Sequence, residues 1–172
     1  MTSAPSRHAP APSIDIQIQS PLWDAQPLAA QTVRDAIAAA AATLSTADNE
    51  VCILLTDDKA IRLLNREWRG IDKPTNVLSF EALQPTGGSS PGDAPRMLGD
   101  IAIAYQTTRK EADDEQKPFD HHLSHLAVHG FLHLIGYDHE KDDDAEAMEA
   151  LESEVLAQLG IPDPYADREG VD

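Results

Sequence analysis

His129, His133 and His139, in the stretch HGFLHLIGYDH, are three imidazoles separated by three and then five residues. Side chains four apart on a helix sit one turn above one another, so His129 and His133 can aim ring nitrogens at a single point. Helices present histidines to zinc in this way. A third ligand must come from a chain that turns back, and Gly136 supplies the means. Glycine accepts the left-handed conformation that ends a helix, which returns His139 to the face of the first two. Three neutral imidazoles leave one tetrahedral position open, the composition of a catalytic zinc site rather than a structural one. Zinc held so lowers the pKa of bound water to about 7 and supplies hydroxide at neutral pH.

The spacing matches the long zinc motif of metzincin proteases at every position but one. Those enzymes place glutamate directly after the first histidine as general base, and here that residue is Gly130. Asp138 and Glu140 are near in sequence but at the wrong offset. The residues therefore predict a zinc hydrolase without the usual machinery of peptide hydrolysis. The four-residue column continues back through His125 to His121, rotating by about 40° per step. His121 and His122, at the helix start, read as ordinary helical histidines. For His125 three readings stand: a group behind the ligands, a substrate contact, or a histidine with no special part.

The elements that must position these residues are legible from periodicity. Ile14, Ile16 and Ile18 alternate with polar residues as in a half-buried strand, and an alanine-rich helix follows over 27–44. EVCILLT, 50–56, is a continuous apolar strand, and Thr56 or Asp57 can cap a helix running to about Glu67. TNVLSFE, 75–81, is a third strand, 83–97 is a Gly/Ser/Pro-rich loop, and GDIAIAY, 99–105, is a fourth strand leading into a polar helix that ends near Gln116. Pro118 interrupts, and Asp120 can cap the histidine helix. A last helix spans about 142–159, with Met148, Leu151, Val155 and Leu159 on one face and Gly160 and Pro162 as its stop. This order predicts an α+β fold: a single domain over 14–160, with a mixed four-stranded sheet packed with about five helices and a zincin-like three-histidine helix-turn site. Residues 1–13 are expected to form a flexible N-terminal tail and 161–172 a C-terminal tail.

The composition narrows the function classes. No apolar run approaches the roughly 20 residues that cross a bilayer, and the first residues lack the apolar core of a secretion signal, so a cytoplasmic protein without a membrane partner is expected. Cys52, the single cysteine, excludes an internal disulfide and reads as a buried structural thiol within an apolar strand. The net charge of −17 argues at first against a nucleic-acid partner. Yet Lys59, Arg62, Arg66, Arg69 and Lys73 gather five of the thirteen basic residues within fifteen positions. Local charge, not the sum, decides where a polyanion binds; on spacing alone the cluster is a solvated helix face.

HGFLHLIGYDHE, REWRGIDKPTNVLSFE and LGDIAIAY together closely resemble the YbeY family of bacterial metal-dependent endoribonucleases, in the family's order and over about 14–159. The resemblance implies one Zn2+ per chain on His129, His133 and His139. It also implies a single-stranded RNA substrate and work in ribosomal RNA maturation, at the small-subunit rRNA 3′ end, and in ribosome quality control. Small ribosomal subunit proteins and an Era-type GTPase are the implied partners. Arg69 corresponds to the family's arginine for RNA binding or catalysis, beside His129 as catalytic metal ligand. Lys73 and His125 join Arg69 as candidate substrate contacts, and Arg66 and Arg62 as weaker ones on the RNA backbone track. Asn76 and Glu81 depart from the family's usual TDVLSFP, which puts in question any role for a carboxylate at position 76. Asp100, in the matching GDIAI, is either a turn residue or a substrate contact. Two other functions remain open: a ribosome-assembly factor with a purely structural metal, and a zinc hydrolase of a peptide or small molecule.

Overall fold

The computed structural model describes residues 12–44, 49–81, 96–137 and 142–165. In chain order the elements are β1 (Ser13–Ile18), a 3-10 turn (Pro21–Ala25), α1 (Ala29–Leu44), β2 (Asn49–Thr56), α2 (Asp58–Arg69), β3 (Val77–Glu81), β4 (Arg96–Ala104), α3 (Tyr105–Asp114), α4 (Phe119–Leu134) and α5 (Asp142–Gln158). The loop read over 83–97 lies outside the described residues, except for Arg96 and Met97, which open β4.

The sheet order is β1-β2-β4-β3, with β1, β2 and β4 parallel and β3 antiparallel to β4 at the edge. This is the mixed four-stranded sheet the alternation of elements predicted. Side-chain alternation gives it two working faces. Val51, Ile53, Leu55, Ile101 and Ile103 point into the main core, where they meet α1, α4 and α5. Leu54, Leu78, Phe80, Ala102 and Ala104 point the other way, against Ile61 and Leu64 of α2. The histidine helix and the basic helix thus lie on opposite faces of one sheet.

Cys52 departs from expectation. It shares the α2 side of β2 with Leu54, but it is not part of the cluster packed against α2 and is half-buried. Its thiol is 3.8 Å from Asp15 Oδ2, and burial, with Asp100 and Asp15 adding repulsion, pushes its pKa up to about 11. Asp100 is neither a turn nor, by its setting, part of the histidine site: it lies within β4, paired with Cys52 on one side and Phe80 on the other. Of the two caps proposed for α2, Asp57 is used, its Oδ1 accepting from the Ala60 N–H at 2.9 Å. Asp120 does not cap α4. The helix starts at Phe119, two residues earlier than that cap would set it, with Pro118 at the cap position and no side-chain cap, and Asp120 sits in the first turn, where a negative charge suits the helix dipole.

Helix α4 is enclosed on most of its circumference, leaving the ridge of His121, His125, His129 and His133 only partly exposed. It comes close to the sheet at Gly130. The Ser79 hydroxyl donates to the Gly130 carbonyl at 2.9 Å, and a Cβ built on Gly130 would lie 2.8 Å from Ile101 Cγ2, 3.1 Å from Ser79 Oγ and 3.3 Å from Val77 Cγ2. The position where a metzincin carries its catalytic glutamate therefore faces the sheet, with no room for any side chain. Alanine there would gain about 1 kcal/mol of helix propensity but lose about 1–3 kcal/mol to overpacking against the stiff, fully buried Ile101. Gly130→Ala is expected to be net destabilising by about 1 kcal/mol, read as a lower midpoint in urea unfolding.

Candidate metal centre

His129 and His133 meet as the four-residue spacing requires: their Nε2 atoms are 3.1 Å apart and their ring centroids 4.6 Å apart. Two nitrogens bound at about 2.0–2.1 Å to one tetrahedral ion would be roughly 3.3 Å apart, so the pair fits a shared ligand. After α4 the chain begins to reverse at Gly136, whose φ is +113°, with the Tyr137 N–H donating to the Leu132 carbonyl at 3.0 Å. His139, the third expected donor, lies outside the described residues. Among the described residues no group of three or more His, Cys, Asp or Glu side chains is arranged to hold a metal ion.

The donor set is tested further by what stands behind it. Glu152 of α5 is fully buried, and its Oε2 lies 2.5 Å from His129 Nδ1. An ionised carboxylate only accepts, so the proton of His129 is on Nδ1 and the lone pair on Nε2, the atom that faces His133. A histidine whose far nitrogen is held by a carboxylate is the common arrangement behind a metal-bound imidazole, and these residues fit one. Oε1 of Glu152 accepts from His125 Nε2 at 2.9 Å and from the Tyr165 hydroxyl. Burial pushes the Glu152 pKa upward, but the hydrogen bonds and charges of His125 and His129 outweigh it and hold the value down to about 2. His125 therefore has its Nε2 turned inward, onto the carboxylate that also holds His129.

A second carboxylate–histidine pair lies further up α4. His122 is buried with Nε2 2.7 Å from Glu111 Oε1, and Glu111 also accepts from the Asn76 amide at 3.0 Å. Burial raises the Glu111 pKa, but His122 and Asn76 lower it more. Asn76 Oδ1 in turn accepts from the Val77 N–H at 2.6 Å at the start of β3. Aspartate at position 76 would set a second carboxylate against Glu111 in this arrangement, so the amide suits its neighbours.

Arg69 ends α2 on the other face of the sheet and is exposed, as is Lys73. Among the described residues neither side chain has an ion-pair partner. Arg62 is engaged by Asp72 through two hydrogen bonds, Nε to Oδ1 at 2.8 Å and Nη2 to Oδ2 at 3.2 Å. The loop carrying Lys73 is tied to α2 by Asn65, whose amide donates to the Lys73 carbonyl at 2.9 Å. The structure thus brings His125, His129 and His133 together and leaves Arg69 and Lys73 apart from them, across the edge strand β3.

Residues 16–160 match the family model described as Endoribonuclease YbeY. The chain belongs to the YbeY family. A relative from Bradyrhizobium sp. (strain BTAi1), named Endoribonuclease YbeY, is 64% identical over 95% of this chain and 98% of its own length. Another of that name, from Rhodopseudomonas palustris (strain BisB18), is 66% identical over 93% of this chain and 96% of its own.

Sequence reasoning over this YbeY-family chain missed two residues beside the histidines, Glu152 and Tyr165, and one beside Arg69, Trp68. Glu152 left a signal: it falls on the buried stripe of α5 with Met148, Val155 and Leu156, where an acid is out of place unless it is paired. Tyr165, after the helix stop, belongs to no periodic pattern and left none. Trp68, about half exposed beside Arg69 with its ring 5.4 Å from Phe80, was legible only as a member of an amphipathic helix.

The Glu152 pKa carries a pH dependence. Its folded value, about 2, lies below the ordinary 4.5, so the pairing stabilises the folded state in full above pH 4.5 and is lost as pH falls from 4.5 toward 2. That interval corresponds to about 3 kcal/mol. Chemical denaturation of the metal-free protein at a series of pH values should show this acid loss, and Glu152→Gln should flatten it.

Proposed function

We propose that the protein is a single-strand-specific, metal-dependent endoribonuclease that matures ribosomal RNA, at the small-subunit rRNA 3′ end, and serves ribosome quality control. Membership of the YbeY family supports the reaction class. The observation that carries the metal dependence is the His129–His133 Nε2 pair, backed by the buried Glu152. We assign His129, His133 and His139 as ligands of one Zn2+ per chain, with His129 the ligand held from behind by a carboxylate. Zinc bound there supplies Lewis acidity toward a phosphate oxygen and a water of lowered pKa.

Arg69 has the other part. Its guanidinium is permanently charged and exposed at the end of α2, and it can hold a phosphate or the charge that develops on it during phosphoryl transfer. Lys73 offers a second phosphate contact, and Trp68 an aromatic face on which a base can stack. These groups and the histidines lie on opposite faces of the sheet, so a substrate that meets both must pass over β3, the end strand among the described residues. A flexible single strand can do this. We place the reaction in the cytoplasm; among the described residues no helix is long and apolar enough to cross a membrane. Small-subunit proteins and an Era-type GTPase are the partners we assign from the family resemblance.

One observation favours a second reading, a ribosome-assembly factor whose metal only holds the end of α4 to the turn after it: a net charge of −17 calls for a partner to deliver the protein to RNA. Hydrolysis of a peptide is disfavoured by Gly130, whose place against Ile101 leaves no room for the glutamate such chemistry uses.

The deciding experiment measures zinc content and cleavage of single-stranded RNA on the same samples of wild type, His129→Ala, His133→Ala, His139→Ala and Arg69→Ala. About one zinc per wild-type chain is expected, lost together with cleavage in each histidine variant. Arg69→Ala should keep its zinc and lose cleavage by about 100-fold or more. Cyclic phosphate ends would identify the RNA 2′-hydroxyl as the attacking group. Zinc lost from variants of a wild type that never cleaved RNA would move the protein to the assembly reading.

A further inference from the structure

The segment after α5 does not trail away from the molecule. Ile161 packs against the main core, and its N–H donates to the Leu156 carbonyl at 2.9 Å. Asp163 then fastens the chain to α5: its Oδ1 accepts from the Ser153 hydroxyl at 2.7 Å and from the Tyr165 N–H at 2.9 Å. With its backbone held so, Tyr165 turns its ring edge-on to that of His125, centroids 5.7 Å apart, and donates its hydroxyl hydrogen to Glu152 Oε1. The same hydroxyl oxygen is 3.2 Å from His125 Nε2.

These contacts leave Glu152 little freedom. Its Oε1 is held by Tyr165 and His125 and its Oε2 by His129, with no exposure to water. A carboxylate on a flexible side chain could otherwise rotate away from His129, and the orientation of the imidazole would be lost with it. We propose that Tyr165 is a positioning residue of the metal centre, and that the strap Ile161–Tyr165 sets metal affinity by locking Glu152 against His129. The tyrosine touches neither substrate nor metal; it acts through Glu152. The inference rests on the assignment of His129 and His133 as metal ligands.

The test uses the full chain and the metal alone. Metal-free wild type, Tyr165→Phe and Asp163→Ala are titrated with zinc in competition with a chromophoric chelator, and with cobalt(II) followed by its visible absorption. Tyr165→Phe removes only the hydroxyl. Asp163→Ala loosens the strap from an exposed position and leaves every group on Glu152 chemically intact, so it reports on the strap even where the first variant folds poorly. Tyr165→Phe is expected to weaken zinc binding by about 10- to 100-fold and to shift the cobalt bands, with Asp163→Ala weaker in the same direction. Far-ultraviolet circular dichroism should match wild type for both. Affinities of both variants within twofold of wild type, with unshifted cobalt bands, would overturn the inference while leaving the metal centre standing. Failure of the wild type to bind either ion would instead overturn the three-histidine assignment itself.

Discussion

A carboxylate with no access to water is the constraint around which the site is arranged. Burying Glu152 alone would be costly, and the charge is sustained because donors converge on it from two helices' worth of structure: His125 and His129 on α4, and Tyr165 beyond α5. Each of those contacts requires α5 to lie along α4 in one register. Met148, Val155 and Leu156 provide the apolar contact that brings the two helices together, but they would tolerate small slips. The carboxylate does not, since a slip would leave it buried without partners. The polar network therefore fixes what the apolar packing only favours, and the tautomer of His129 follows from it.

The second requirement is the approach of α4 to the sheet. Gly130 lets the helix backbone come down onto Ile101 and Val77, and the Ser79 hydroxyl takes up the carbonyl there. Because His129 and His133 lie on another side of the same helix, lowering α4 onto the sheet turns their ridge toward α5 and the molecular surface. One residue thereby does two things: it seats the histidine helix, and it excludes the side chain that a peptidase of similar spacing would need. The difference between this chain and a metzincin is thus one of packing as well as of chemistry.

Much of this was legible in the sequence, and what was not has a common cause. Strong periodicities gave the four strands and five α-helices found among the described residues, because alternation along β1 and β4 and the apolar run of β2 reflect which face each residue buries. The i, i+4 histidines were legible because helical geometry alone brings them together. Asp57 was named as one of two possible caps for a local reason, the reach of an aspartate to an N–H three residues on. The misses are non-local. Nothing near Glu152 in sequence says that His129, twenty-three residues earlier, is its partner. Nothing near Tyr165 points forty residues back to His125. Cys52 was misjudged because strand alternation says which way a thiol points but not how completely that face is covered there.

Charge teaches the same distinction between sum and place. The chain carries −17 overall, yet its acids are distributed by task. Glu152 and Glu111 are spent inside the fold on His129, His125 and His122. Asp72 is paired with Arg62. At the end of α2, by contrast, Arg69 is exposed without an ion-pair partner among the described residues, next to an exposed indole. Over a Debye length of about 8 Å at physiological salt, a phosphate approaching that corner responds to the guanidinium beside it more than to carboxylates on the far side of the molecule. In the function proposed for Arg69, the surrounding acidity would work in favour of selectivity, because carboxylates elsewhere repel a polyanion while that corner attracts it.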